Sequence, residues 1–189
     1  LDLLEEDGYI HKIKGKGSYV LDINKFDFPI TGITSFKEIS KSLGRNSNTI
    51  VEELEIIKPD NYLIKKLELS KTDKVWKVIR IREIDNKKII LDKDYFNSKY
   101  IPKLNKKICE TSIYEYIEGQ LGLNIGFAKK EITVERATNE DKEYLDLEGY
   151  NMVAVVKSYT YLDDASLFQY TESRHRPDKF RFVDFARRR

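Results

Sequence analysis

Arg80 and Arg82 stand two residues apart in the run Val-Trp-Lys-Val-Ile-Arg-Ile-Arg-Glu-Ile, residues 75 to 84. The run has strand composition, and side chains alternate faces along a strand. Trp76, Val78, Arg80, Arg82 and Ile84 therefore share one side. An unpaired guanidinium on an otherwise apolar face is expensive to bury. Either carboxylates pair with these arginines or an anionic ligand does. A second stretch, Leu167 to His175, also reads as a strand, and it puts Gln169, Thr171, Ser173 and His175 on one side. That side is polar and uncharged. It suits a polyhydroxylated ligand, or a strand face left to solvent. A third feature is Ser112-Ile113-Tyr114-Glu115, a capping box that opens a helix with Ile113, Tyr116, Ile117 and Leu121 inward. A helix start offers free N–H groups and the positive end of a dipole, which suits phosphate or simply its own cap.

These residues need elements to hold them. Ser35-Phe36-Lys37-Glu38 is another capping box, with Phe36, Ile39 and Leu43 as the apolar stripe and Gly44 as the stop. A strand follows over Thr49 to Ile57, then a short helix capped by Asp60 with Leu63, Leu67 and Leu69 inward. Residues 75 to 96 form a hairpin around Asp85-Asn86, residue types that tolerate positive φ. Further on come a strand over Ile125 to Ala137, a helix from Asn139 to Leu147, and a strand over Asn151 to Leu162. Asp163-Asp164 turns the chain into Leu167–His175, and Pro177-Asp178 turns it again. Phe180, Phe182, Val183 and Phe185 are expected to pin the end. Tight turns imply antiparallel pairing, so the fold class is α+β, with helices stacked on one side of the sheet. Residues 21 to 33 carry Pro29 and Gly32 without periodicity and read as a linker. Before them, Leu1 and Leu4 fit a last helical turn that Gly8 ends. Tyr9 to His11 and Ser18 to Val20 then pair as a hairpin. Lys12, Lys14 and Lys16 share one face of it, a spacing suited to phosphates of DNA.

A chain of 189 residues can bury one core, and 40% hydrophobic with 35% charged residues is the composition of a soluble globular protein. Net charge is only +2, so any DNA contact has to come from a local patch. No stretch approaches the ~20 apolar residues of a membrane span. The lone Cys109 cannot form an internal disulfide and fits the cytoplasm. There is no glycine-rich phosphate loop, no Cys/His metal spacing and no nucleophile elbow. With His11 in the first hairpin, a Ser-His or Cys-His triad would have to use His175. No cofactor, metal site or catalytic residue is expected.

The string Glu172-Ser-Arg-His-Arg-Pro-Asp-Lys-Phe-Arg-Phe182 resembles the C-terminal signature of the UTRA effector domain. That domain is the ligand-sensing half of GntR-superfamily regulators of the HutC subfamily. The resemblance runs over essentially the whole chain. Residues 1–20 resemble the end of a winged-helix recognition helix and its wing, 21–33 the linker, and 34–189 the effector domain. A helix-turn-helix needs two helices before such a wing, so the expectation is a fragment lacking most of the DNA head. The resemblance implies a chorismate lyase-like fold, a homodimer, and operator DNA as a partner of the intact protein. It also implies a pocket for a sugar phosphate. In that family the phosphate is held by an Arg-x-Arg strand and a Ser-x-Tyr at a helix start, matching Arg80, Arg82, Ser112 and Tyr114. The sugar is held by an acid of the second hairpin strand, matching Asp92, and by the final strand, here Gln169, Thr171, Ser173 and His175. Relatives often carry Glu in place of Gln169 and Tyr in place of His175. The tail Val183 to Arg189 points within the family to trehalose 6-phosphate as inducer. N-acetylglucosamine 6-phosphate is the alternative ligand, and an enzyme acting on a sugar phosphate is the alternative class. Such a pocket needs Asp92 beside the arginines. A two-residue loop would pair Arg80 with Leu91, so a three-residue loop, Asp85 to Lys87, is expected to pair Arg80 with Asp92. Without ligand the arginines are expected to be partly hydrated or to hold a buffer anion such as sulfate.

Overall fold

A computed structural model describes residues 10–13, 15, 17–20, 32–43 and 46–182. Strands β1 (Ile10–Ile13) and β2 (Gly17–Val20) pair antiparallel, with Ile10 opposite Val20 and Lys12 opposite Ser18. This is the first hairpin expected. Lys14, Lys16, the helix end at Leu1 to Gly8, the Gly44 stop and the linker through residue 31 lie outside the described residues.

Six longer strands form one antiparallel sheet: β3 (Ser47–Ile57), β4 (Val75–Ile84), β5 (Lys87–Asn97), β6 (Ile125–Arg136), β7 (Met152–Leu162) and β8 (Leu167–His175). Their order is β3-β4-β5-β8-β7-β6, so the final strand lies at the centre beside β5. The helices are α1 (Phe36–Leu43), α2 (Asn61–Leu67), α3 (Lys106–Thr111), α4 (Ile113–Gly119) and α5 (Asn139–Tyr144). Side chains start each of them. Ser35 and Glu38 make the reciprocal capping box at α1, with the Ser35 N–H on Glu38 Oε2 at 2.6 Å. Asp60 caps α2, Asn105 caps α3, and Thr138 with Asp141 boxes α5.

Helices cover both faces of the sheet, not one as expected. On one face Val78, Phe96 and Phe168 pack against Cys109, Ile113, Tyr116 and Ile117 of α3 and α4. Phe36 of α1 sits on that face too, with Ile84 and Ile90. On the other face Ile79, Ile81, Leu91, Val153 and Val155 meet Leu145 and Leu147 beyond α5. There Val75 and Tyr170 meet Leu63 and Leu67 of α2. The reason lies in the central strands. β4 and β7 carry large apolar side chains at both parities, and each face needs cover.

The β4–β5 turn corrects the expected loop. Asp85 and Asn86 both have positive φ (51° and 61°), and Ile84 pairs with Lys87, a two-residue turn. Glu83 pairs with Lys88, but Arg82 pairs with Ile90, leaving Ile89 as a bulge. Ile89 is buried, and its carbonyl accepts the Arg176 N–H at 3.0 Å. Beyond the bulge Arg80 faces Asp92, the expected pair reached by another route. At the C-terminal end, Pro177–Lys179 forms a 3-10 turn and Phe180 packs on His175 with ring centroids 5.1 Å apart. Phe182, expected to anchor the tail, is 49% exposed. Val183 and Phe185 lie outside the described residues.

Candidate functional site

The expected site residues of β4, β5, α4 and β8 converge on one cleft. Its floor is the sheet face that carries Arg80, Arg82, Asp92, Gln169, Thr171, Ser173 and His175. Ser112 and Tyr114 form a wall, and residues 33 to 37 close over it from the start of α1. The cleft holds about 1040 Å3 of space free of atoms, part of it open to solvent.

Arg80 comes from the centre of β4 and Asp94 from β5 beside it. The Arg80 Nε and Nη2 donate to Asp94 Oδ2 at 3.1 and 2.6 Å, and Nη1 reaches the Cys109 carbonyl at 3.4 Å. Asp94 Oδ1 accepts from Gln169 Nε2 at 3.0 Å and from the Thr171 hydroxyl at 2.8 Å. The Tyr114 hydroxyl donates to Gln169 Oε1 at 2.9 Å. Helix wall, final strand and hairpin are thus joined through one amide. Arg82 Nε donates to Asp92 Oδ2 at 2.7 Å and Nη1 to Thr49 Oγ1 at 2.8 Å. The Ser173 hydroxyl donates to Asp92 Oδ1. The Phe36 ring covers the Arg82 guanidinium at 4.7 Å.

Of the two partners left open for the arginines, the structure holds carboxylates. Arg80 and Arg82 are buried, 7% and 4% exposed. The physical reason is the alternation of β5: Asp92 and Asp94 repeat at the same two-residue spacing as the arginines and meet them on the diagonals, Arg82 with Asp92 and Arg80 with Asp94. Guanidinium groups have donors to spare. Each carries five N–H bonds in a fixed fork, and the bonds above occupy three on Arg80 and two on Arg82.

Burial opposes ionisation of Asp92, but Arg82, Arg80 and the Ser173 hydroxyl outweigh it and hold its pKa below the usual range. Burial pushes the Tyr114 hydroxyl up to about 12, so it stays a donor. Burial also pushes His175 down to about 4, against the field of Asp92, so its ring is neutral at pH 7. The floor is therefore one of donors and acceptors in alternation. The cleft as a whole is not neutral. Lys37, Arg80, Arg82 and Lys130 line it against Asp92 and Asp94, and with Glu115 on Lys37 one positive charge is left in excess.

Ser112 interrupts a longer helical stretch. Its backbone is extended (φ −157°) between α3 and α4, and its hydroxyl accepts the Glu115 N–H at 3.2 Å. The capping box expected here is half made, because Glu115 turns away to Lys37 of α1 at 2.5 Å. Three features were missed in the sequence. Asp94 could have been read from the Asp-x-Asp spacing on β5. The roof residues Thr34 and Ser35 carried a capping signal only. Lys130, in the charged run Lys129-Lys130-Glu131, carried none. Among the described residues no group of three or more His, Cys, Asp or Glu could hold a metal ion, and no helix is long and apolar enough to cross a membrane.

The UTRA domain family matches residues 42–181, which contain the whole sheet and all but the roof of the cleft. The chain belongs to that family. The HTH-type transcriptional regulator TreR of Bacillus subtilis is 55% identical over 188 residues, 100% of this chain and 79% of that protein. The solved effector binding domain of the B. subtilis trehalose repressor superposes with a TM-score of 0.69 at 57% identity, over 75% of this chain and 98% of that one. The crystal structure of the possible transcriptional regulator YydK, also from B. subtilis, gives a TM-score of 0.83 at 26% identity, over 98% of this chain and 79% of that one. The antiparallel sheet with its helices is thus the UTRA effector fold. The relatives are transcriptional regulators and not enzymes, and this chain takes that class with them.

Proposed function

We propose that this chain is the effector-sensing part of a repressor of trehalose genes, with trehalose 6-phosphate as its inducer. The observation that carries the reading is the cleft itself. It combines an excess of positive charge with a floor of hydroxyl, amide and paired guanidinium groups. An anionic, polyhydroxylated ligand matches both properties. The likeness to TreR supports trehalose as the sugar. In this reading the phosphate takes the spare N–H groups of Arg80 and Arg82 with the Ser112 and Tyr114 hydroxyls. Asp92, Gln169, Thr171, Ser173 and His175 receive the sugar. Residues 1–20 are the end of a winged-helix head with Lys12, Lys14 and Lys16 facing DNA, 21–33 its linker, and 34–189 the sensor. The intact cytoplasmic protein works as a homodimer on operator DNA. Ligand acts by favouring the arrangement of heads that leaves the operator.

A thermal-shift and calorimetry panel tests the assignment, using trehalose 6-phosphate, trehalose, glucose 6-phosphate and N-acetylglucosamine 6-phosphate. At ~100 times its Kd the inducer stabilises by ~2.7 kcal/mol, a rise in Tm of roughly 5–11 °C for a chain of this size. Trehalose 6-phosphate is expected to give the largest shift. A larger shift with N-acetylglucosamine 6-phosphate, or none with trehalose 6-phosphate, overturns the assignment.

A further inference from the structure

Lys130 differs from the other cations of the cleft. Arg80, Arg82 and Lys37 each hold a carboxylate: Asp94, Asp92 and Glu115. The half-buried Lys130 ammonium donates instead to a neutral oxygen, the Gly32 carbonyl, at 2.6 Å, and burial pushes its pKa down. No carboxylate pairs with it among the described residues.

Its place in the sheet gives this meaning. Lys130 pairs with Ser158, Ser158 with Thr171, and Thr171 with Asp94, the partner of Arg80. These four residues form one polar row across β6, β7, β8 and β5, and all of them line the cleft. Three strand spacings separate its ends, roughly 14 Å between backbones. A single pyranose ring anchored by phosphate at the arginines ends short of Lys130. Two linked rings lie along the row, and an ammonium with three donors then meets neutral hydroxyl oxygens, the kind of acceptor it already holds in Gly32.

We propose that Lys130 is a specificity-determining residue that donates to hydroxyls of the second, unphosphorylated ring, so that the cleft selects a disaccharide phosphate over a monosaccharide phosphate. The assignment rests on the sugar-phosphate reading above. Phosphate is held at one end of the row and the distal ring at the other, which makes the two ends separable by truncated ligands.

The test is calorimetry on this chain and on its Lys130→Met variant, which keeps the aliphatic stem. The titrants are trehalose 6-phosphate, glucose 6-phosphate and trehalose. Lys130→Met should weaken trehalose 6-phosphate and trehalose by ~10-fold or more, about one charge-assisted hydrogen bond. It should leave glucose 6-phosphate within ~2-fold. Arg80→Ala should do the reverse, weakening both phosphorylated ligands by more than it weakens trehalose. Equal losses for all three ligands in Lys130→Met would mean that the lysine only braces Gly32, and they overturn the proposal. So does no loss for any of them. A parent chain that binds none of the three refutes the sugar-phosphate reading, and the role of Lys130 with it.

Discussion

Removing the Asp94 carboxylate breaks a buried ion pair in the floor of the cleft. The Arg80–Asp94 pair is closed to solvent, with side chains 9% and 2% exposed. Both Asp94 oxygens are used: Oδ2 by two Arg80 nitrogens, Oδ1 by Gln169 and Thr171. Asp94→Ala leaves a buried guanidinium without a counter-ion and strands two further donors. Breaking a buried pair by removing one partner costs ~3–5 kcal/mol, because the remaining charge is uncompensated. The lost neutral hydrogen bonds overlap that figure and are not added to it. For a chain of this size the cost is a fall in Tm of roughly 6–20 °C. Urea denaturation followed by circular dichroism gives the free energy directly, provided the m-value is unchanged. The mechanism makes a second demand. Replacing both partners by apolar groups, Arg80→Met with Asp94→Leu, removes the orphaned charge, so the double variant should be more stable than Asp94→Ala alone. An Asp94→Ala protein within ~1 kcal/mol of the parent, or a double variant less stable than the single, would refute the argument that the pair is buried and mutually dependent.

Two further outcomes follow from the same geometry. Arg80→Ala and Arg82→Ala should each weaken trehalose 6-phosphate by ~10-fold or more, and by more than they weaken unphosphorylated trehalose, since each removes a charged fork worth ~1.5–3 kcal/mol. Parent-like calorimetric affinities in both variants would place the phosphate elsewhere. His175 should make stability depend on pH: its pKa falls from 6.5 unfolded to about 4 folded, so the unfolded chain binds more protons between those values. The contribution is therefore complete above pH 6.5 and is lost as pH falls toward 4, up to about 3 kcal/mol. His175→Gln should flatten the slope of unfolding free energy against pH in that window, and an unchanged slope assigns it to other groups.

Strand positions were legible in the sequence because one period governs both strand and site. The same two-residue alternation that marks β4 and β8 as strands puts Arg80 with Arg82, and Gln169 with Thr171, Ser173 and His175, on single faces. Partners were less legible than members. Asp94 shares its parity with Asp92, but parity does not say which acid meets which base: Arg80 lies opposite Asp92 in the ladder and binds Asp94 on the diagonal. The helices over the second face, α2 and α5, were legible as helices from their starts at Asp60 and Asn139. Which face of the sheet they cover was not, because a helical pattern names the inward side of the helix and not the side of the sheet it meets.

Register shows most clearly why. Turn chemistry at Asp85-Asn86 asks for two residues, and two residues alone would pair Arg80 with Leu91. The apolar pattern and the charge pairs ask for Arg80 opposite Asp92. Both demands are met because Ile89 steps out of the ladder and takes up the extra residue. A local reading cannot see this, since nothing about an isoleucine in an Ile-Ile-Leu run marks a bulge. The bulge is stabilised from outside the hairpin. The Ile89 carbonyl accepts from Arg176, and the side chain packs with Ile84, Ile90 and Phe36. Arg176 directly follows the final strand, and Phe36 belongs to the helix over the cleft. The register that brings the arginines to their acids is thus set by two segments distant in sequence, and both of them border the cleft.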